Sequence, residues 1–138
     1  MCARYELNKT RKQPGRICDV WNAERLEQMV WAGFATTEKL DYWTKRRGGK
    51  LVDVPAERFA ERSQIDGRLI WAEVPDGQVI RGLIDPGEGK PVLKIVTRAS
   101  SSEELVLFEH PRMPLLESPI YSAQLPPPEP ESPQGELF

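Results

Sequence analysis

Three apolar segments in the second half of the chain most strongly limit what it can fold into. RLIWAEV, QVIRGLI and PVLKIVTRA are rich in β-branched residues, and such residues favour strands. The sequence Pro75-Asp76-Gly77 separates the first two segments and is a strong turn signal. We therefore expect an antiparallel sheet in this half of the chain, with MPLLESPIYSA as a further extended segment.

The first half of the chain has helical spacing instead. In NAERLEQMVWAGF, Asn22 is a candidate N-cap and Gly33 a candidate stop, with apolar residues at helical spacing between them. TTEKLDYWTKRRGG repeats this pattern and ends at Gly48-Gly49. DVPAERFAER predicts a short helix with Pro55 in its first turn, and SSSEELVLFEH predicts another with a serine cap. The expected fold class is α+β, with several short helices beside the sheet.

A change of composition at Pro126 divides the chain of 138 residues into two parts. Residues 1–125 are expected to form a single domain with one modest core. From residue 126 the sequence PPPEPESPQ combines proline with acidic residues and serine, which is typical of an extended, mobile linker. This tail, 126–138, ends in the apolar residues Leu137 and Phe138.

Charge and cysteine content indicate a cytoplasmic protein that can face a polyanion. No apolar run approaches a membrane span, and MCARYELNKTRK lacks the apolar core of a signal peptide. Cys2 and Cys18 are the only cysteines, so a reducing compartment is expected. Residues 1–50 carry eleven Lys/Arg against six Asp/Glu, and residues 51–138 carry eight against fifteen. The basic first third suits nucleic acid, although charge alone favours the alternative of solvated helix faces.

Cys2 is the first candidate functional residue, because removal of Met1 would leave it at the N-terminus. Its α-amine and thiol would then form a 1,2-aminothiol. Such a pair condenses with an aldehyde to an imine, which the thiol closes to a thiazolidine ring. The alternative is an accidental cysteine near a chain end.

Three motifs resemble the SOS response-associated peptidase (SRAP) family, whose members trap abasic sites in DNA through an N-terminal cysteine. MCARYEL is similar to the family's MCGRYAL-like start, and HPRMP to its H-x-R-M-P-like motif. DGRLIW, residues 66–71, resembles the family's D-G-x-x-E-W segment. The resemblance implies a barrel-like antiparallel sheet and crosslinking to DNA. The chain is far shorter than a usual SRAP domain, so it would be a compact, divergent member.

The resemblance assigns a role to each matched residue. Cys2 would be the nucleophile and His110 the proton carrier, since histidine has an unperturbed pKa of roughly 6.5. Lone histidines are more often structural, which is the alternative for His110. Arg4 and Arg112 would hold DNA phosphates.

The family's glutamate position in DGRLIW is occupied by Ile70, so a carboxylate used in proton transfer is expected to be absent. Glu73 is a candidate replacement three residues later, although side-chain alternation in a strand would point it to the opposite face. Asn22, in NAERLE, resembles an asparagine that the family carries in an N-A-R-x-E-like element. The tryptophans Trp21, Trp31, Trp43 and Trp71 are expected in the core, with stacking on a base as the alternative.

The tail has a resemblance of its own. QGELF, residues 134–138, follows the Q-x-x-L-F pattern of bacterial sliding-clamp-binding peptides. Gln134 would bond at the pocket rim, and Leu137 and Phe138 would fill the pocket. The alternative is a chance match at the end of a linker.

These observations predict a monomeric, nucleoid-associated DNA-damage protein with crosslinking activity. Its expected partners are single-stranded DNA carrying an abasic site and the sliding clamp, with no membrane partner, cofactor or metal. The alternative is a DNA- or clamp-binding protein that has this fold and has lost the chemistry.

Overall fold

The computed structural model describes residues 2–7, 10–23 and 25–121, and most of its secondary structure is β-strand. The described residues form eleven strands, numbered in chain order: β1 Cys2–Leu7, β2 Thr10–Lys12, β3 Ile17–Asn22, β4 Arg25–Thr36, β5 Lys50–Val54, β6 Arg58–Arg62, β7 Leu69–Glu73, β8 Val79–Asp85, β9 Val92–Ala99, β10 Arg112–Pro114 and β11 Leu116–Glu117. They also form a 3₁₀ turn at Thr37–Lys39, a π-helical turn at Tyr42–Arg46 and an α-helix, α1, at Ser102–Phe108. The fold combines strands and helices, as predicted, but with fewer helices. The expected tail, 126–138, lies outside the described residues.

Five strands pair in a closed ring. β4 lies between β3 and β9, β5 lies between β3 and β8, and β8 also pairs with β9. β10 and β11 extend this sheet at β9 and β8. All these pairings are antiparallel except β4 with β9, where the strands run parallel. The prediction of a wholly antiparallel sheet is therefore wrong at β4–β9, because the long connection from Thr36 to Val92 allows a parallel crossover.

A second, smaller sheet has the strand order β2–β1–β6–β7. Its inner face carries Tyr5 and Phe59, which are almost completely buried. The Tyr5 ring lies 5.7 Å from Trp31 of β4, and the Phe59 ring stacks at 5.9 Å on Phe108 of α1. These aromatic contacts join the small sheet to both the ring of strands and the helix.

The predicted helix in NAERLEQMVWAGF is wrong, because this segment is strand β4. It pairs with β3 from Ile17 opposite Val30 to Asn22 opposite Arg25, and with β9 on its other side. Ala23, with φ of 59°, turns the chain between the two strands. Pairing on both edges satisfies the backbone hydrogen bonds and buries Trp31, so tertiary context overrides the local helical spacing.

The predicted helix in DVPAERFAER is wrong for a related reason. Pro55 follows the end of β5, and the residues after it form β6. β6 lies between β1 and β7, and pairing on both edges holds it extended. Side-chain alternation then places Phe59 and Glu61 on one face of the strand.

Most of the remaining local predictions are confirmed, while the single helix predicted in TTEKLDYWTKRRGG is confirmed only as short helical turns. Strands β7, β8 and β9 occupy the three apolar segments, although β7 lies in the small sheet and β8 in the large one. Helix α1 begins with a capping box between Ser101 and Glu104. The segment before Gly48 forms the 3₁₀ and π-helical turns. None of the helices in residues 2–7, 10–23 and 25–121 has the length and hydropathy that a bilayer span requires.

Candidate functional site

The backbone of Cys2 lies opposite Glu61 because of one irregularity in strand pairing. β1 and β6 pair with Tyr5 opposite Phe59 and Arg4 opposite Ala60. A regular continuation would place Cys2 opposite Arg62. The register shifts between Cys2 and Arg4, so that Glu61 becomes the partner of Cys2 instead. A one-residue shift of this kind changes which residue faces the partner strand.

Glu61 is a carboxyl group in the interior of the protein, with no exposed surface. Burial raises its pKa from 4.5 to about 7, because water no longer stabilises the charged form. At neutral pH both protonation states are therefore populated, as a group that alternates between proton donor and acceptor requires.

His110 approaches Glu61 from a different part of the chain. Its Nδ1 atom lies 3.9 Å from Glu61 Oε1, and its side chain is 8% exposed. Nδ1 also lies against the backbone of Arg112, 3.0 Å from its N–H and 3.1 Å from its carbonyl oxygen, so the neutral ring can be held there in either tautomer. Burial lowers the pKa of His110, which favours this neutral form.

Helix α1 positions His110. Glu109 ends the helix in a left-handed conformation, with φ of 54° and ψ of 39°. The hydroxyl of Ser100 donates to the carbonyl oxygen of His110 at 2.8 Å, which fixes the chain as it leaves the helix. Strand β10, which begins two residues later, then contacts β1. The capped helix α1 therefore helps to hold His110, which is far from β1 in sequence, near the end of that strand.

Arg112 lies beside His110, but an acid engages its guanidinium. Two of its nitrogens bond to the carboxylate of Glu38 at 3.0 and 3.1 Å, and one also donates to the carbonyl oxygen of Thr97 at 2.7 Å. The hydrogen bond from Arg112 lowers the pKa of Glu38 to about 2. Glu38 therefore binds the same pair of guanidinium nitrogens that a phosphate would use. Arg4, the other predicted phosphate ligand, lies in β1 and is half-buried.

Two further predicted residues lie in other surroundings. Asn22 ends β3, and its amide donates to Glu27 across the β3–β4 turn at 3.2 Å. Glu73 is exposed and pairs with Arg58, whereas Glu61 pairs with Ile70 three residues earlier in β7. The structure therefore places Glu61, and not Glu73, opposite the backbone of Cys2 and beside His110.

Glu61 is the residue that the sequence interpretation missed. The expectation that Ile70 leaves the region without a carboxylate is wrong, because Glu61 lies on the neighbouring strand directly opposite Ile70. A local signal was present in ERFAER, residues 57–62, where strand alternation puts the apolar Phe59 and the acidic Glu61 on the same face. The helical spacing assigned to this segment concealed it.

The three residues can together carry proton transfer at a terminal amine. Glu61 can take a proton from a nitrogen at Cys2 and return it to a leaving oxygen, since its pKa lies near neutrality. His110 supplies a second neutral group that can accept a proton. The described part of the chain contains no group of His, Cys, Asp and Glu residues suited to a metal. The predicted clamp-binding residues Gln134, Leu137 and Phe138 lie outside it.

Comparison with known proteins finds no family model that matches the chain, and no curated protein or solved structure with significant similarity to it.

Proposed function

We propose that this protein traps abasic sites in single-stranded DNA by forming a thiazolidine with Cys2 after removal of Met1. The observation that carries the proposal is the convergence of β1, β6 and the segment after α1. Together they place a buried glutamate with a pKa of about 7 opposite the Cys2 backbone and 3.9 Å from a histidine. The resemblance of MCARYEL and HPRMP to the SRAP family supports the same function.

The first step joins the DNA to the amine. The neutral α-amine of Cys2 attacks the aldehyde carbon of the ring-opened abasic sugar, and a C–N bond forms. Ionised Glu61 takes one proton from the nitrogen and passes it to the former carbonyl oxygen, which becomes a hydroxyl. The second proton of the nitrogen travels the same way through Glu61 as the hydroxyl leaves as water, and an imine remains.

The second step closes the ring. The sulfur of Cys2 attacks the imine carbon and forms a C–S bond, while the thiol proton passes to the nitrogen through His110 or Glu61. One aldehyde and one aminothiol thus give one thiazolidine and one water, with no oxidant or reductant. His110 can act as the proton acceptor in this step, because burial lowers its pKa and keeps the ring neutral.

The test is incubation of the full chain with a single-stranded oligonucleotide that carries one abasic site. We expect an adduct that survives denaturing electrophoresis, with an intact mass equal to protein without Met1 plus DNA minus one water. Cys2→Ala should abolish it, and an oligonucleotide without the lesion should give none. If DNA binds but no adduct forms, the protein is a binding protein and the crosslinking proposal fails.

The proposal extends to recruitment by the sliding clamp. It is supported by QGELF at residues 134–138, behind a proline-rich spacer that separates it from the domain. Burial of two large apolar side chains stabilises such a contact by roughly 1.5–3 kcal/mol each. Titration of clamp against the full chain and against Leu137→Ala/Phe138→Ala should show binding for the first alone. Equal affinity would identify QGELF as a chance match.

A further inference from the structure

The outer face of the small sheet is unusually rich in arginine. Tyr5 and Phe59 point inward, so the alternating residues Arg4, Glu6 and Arg58 lie on the opposite face. Register along β2, β6 and β7 adds further residues to this face. We define the arginine face as Arg4, Arg11, Arg58, Arg62 and Trp71.

Trp71 lies on the edge strand β7, and its ring contacts two cations of this face. The guanidinium carbon of Arg58 lies 4.6 Å from the centre of the Trp71 ring, and that of Arg11 lies 4.9 Å from it. Glu6 lies between the two arginines, 3.3 Å from Arg58 and 3.8 Å from Arg11. Arg58 and Arg11 remain 41% and 62% exposed, so both guanidinium groups can move from the ring to a phosphate when a base stacks on Trp71.

The face has a net positive charge and continues into a basic cleft. Its four arginines are opposed by two glutamates, Glu6 and Glu73. Arg11 also lines a cleft at the turn between β2 and β3, together with Lys12 and Arg16. The positive surface therefore extends from the Cys2 end of β1 past Trp71 to this turn.

We propose that the arginine face binds the single-stranded DNA that flanks the trapped lesion, with Trp71 as a stacking platform for a base. Aromatic rings set among arginines are the usual means of holding single strands without sequence preference. Arg4 is two residues from Cys2 in β1, but the face lies on the side of the small sheet opposite to Glu61, so the DNA would pass around the Cys2 end of β1 to reach both. This inference rests on the proposed function for the choice of DNA. It adds a binding surface that the reaction itself does not require.

The first test measures the affinity of the full chain for unmodified single-stranded DNA by fluorescence anisotropy at several salt concentrations. We expect Arg11→Gln/Arg58→Gln to weaken binding and to reduce the salt slope by about 1.4, since each phosphate contact on a single strand contributes about 0.7. Arg25→Gln/Lys94→Gln is the matched control. It removes the same charge from the large sheet, where Lys94 lies 5.1 Å from the ring of Trp43. Equal loss in both double variants would overturn the inference.

The second test follows tryptophan fluorescence during the same titration. Quenching by DNA should be largely lost in Trp71→Phe and retained in Trp43→Phe, because the inference places only Trp71 against a base. Persistence of the quench in Trp71→Phe would overturn the stacking role. Circular dichroism of each variant shows whether it is folded.

The two proposals fail in different ways. Wild-type protein that forms the adduct while the Trp71 and arginine variants bind unmodified DNA normally would overturn the arginine face alone. Protein that binds DNA through this face but forms no adduct would overturn the crosslinking alone. A wild-type protein with no affinity for unmodified single strands also overturns the inference.

Discussion

Two buried carboxyl groups in this protein have opposite surroundings. Asp53 in β5 and Glu61 in β6 both have no exposed surface. Asp53 faces a permanent cation, since Arg81 donates to it at 2.5 Å, and it also accepts the backbone N–H groups of Ile120 and Tyr121 at 3.0 and 2.7 Å. Glu61 faces the imidazole of His110 at 3.9 Å, a group whose charge depends on pH.

The comparison separates a structural ion pair from a candidate reactive one. Arg81 also donates to the carbonyl oxygens of Val52 and Ser118 and to Glu117, so the Asp53–Arg81 pair ties the last described residues to the ring of strands. Such an ion pair is structural, since it holds the two charged side chains in a fixed arrangement. Glu61 instead has a pKa raised to about 7, and its proton can move at neutral pH.

The largest effect should come from breaking the structural pair. Arg81→Met leaves Asp53 buried beside no cation, which should lower the free energy of unfolding by about 3–5 kcal/mol. Urea denaturation measures this change. Lys45→Met is the control, because Lys45 and its partner Asp41 are 77% and 89% exposed and such a surface pair contributes about 0–1 kcal/mol. Similar losses in both variants would show that the Asp53 network is not a special anchor.

The next effect concerns stability and pH. The Glu61 carboxyl ionises near 4.5 in the unfolded chain but near pH 7 in the folded protein, so the folded state binds more protons between these values. The free energy of unfolding that Glu61 contributes therefore falls as pH rises through this window. Glu61→Gln removes the titration, so its stability relative to wild type should increase by about 3 kcal/mol between pH 4.5 and pH 8.

The pH comparison has a control and a clear contradictory result. Glu73→Gln removes an exposed carboxyl from the adjacent strand and should show no comparable rise in stability relative to wild type. The lowered pKa of His110 acts in the opposite sense, with stability lost as pH falls below 6.5, and it is present in all these proteins. Parallel stability curves for Glu61→Gln and wild type would mean that Glu61 ionises normally.

Crosslinking should show the same contrast in rate. Glu61→Gln keeps the shape of the side chain but cannot exchange a proton, so adduct formation should slow by about 10²-fold. This change corresponds to about 2.7 kcal/mol in the activation barrier. The measurement is the time course of adduct on a denaturing gel. Glu73→Gln should react at the wild-type rate. An unchanged rate in Glu61→Gln would show that Glu61 has no part in the reaction.

The smallest effect is expected on DNA affinity when Glu38, the partner of Arg112, loses its charge. Glu38→Gln removes the carboxylate from the guanidinium and should raise affinity for single-stranded DNA roughly two- to fivefold, the scale of a surface ion pair. Glu103→Gln removes the same charge from helix α1 and serves as the control. Equal gains in the two variants would indicate a general effect of net charge, with no part for Arg112.

The amino-acid sequence by itself determined the elements whose signals are local. The turn at Pro75–Gly77, the strands around it and the capped helix α1 depend on residues within a few positions of each other. The same holds for the identity of the candidate groups, since Cys2 and His110 stand in short, recognisable motifs. Such signals act through backbone propensity and capping, which require no distant partner.

Only the tertiary structure decided that the segments at 25–36 and 58–62 are strands. Their residues have helical spacing, but hydrogen bonds to neighbouring strands on both edges stabilise the extended form. It also decided the composition of the site. Glu61 meets Cys2 through a one-residue shift between β1 and β6, and it meets His110 through the packing of α1. Its pKa follows from burial, which depends on how every neighbouring strand packs and not on any short stretch of sequence.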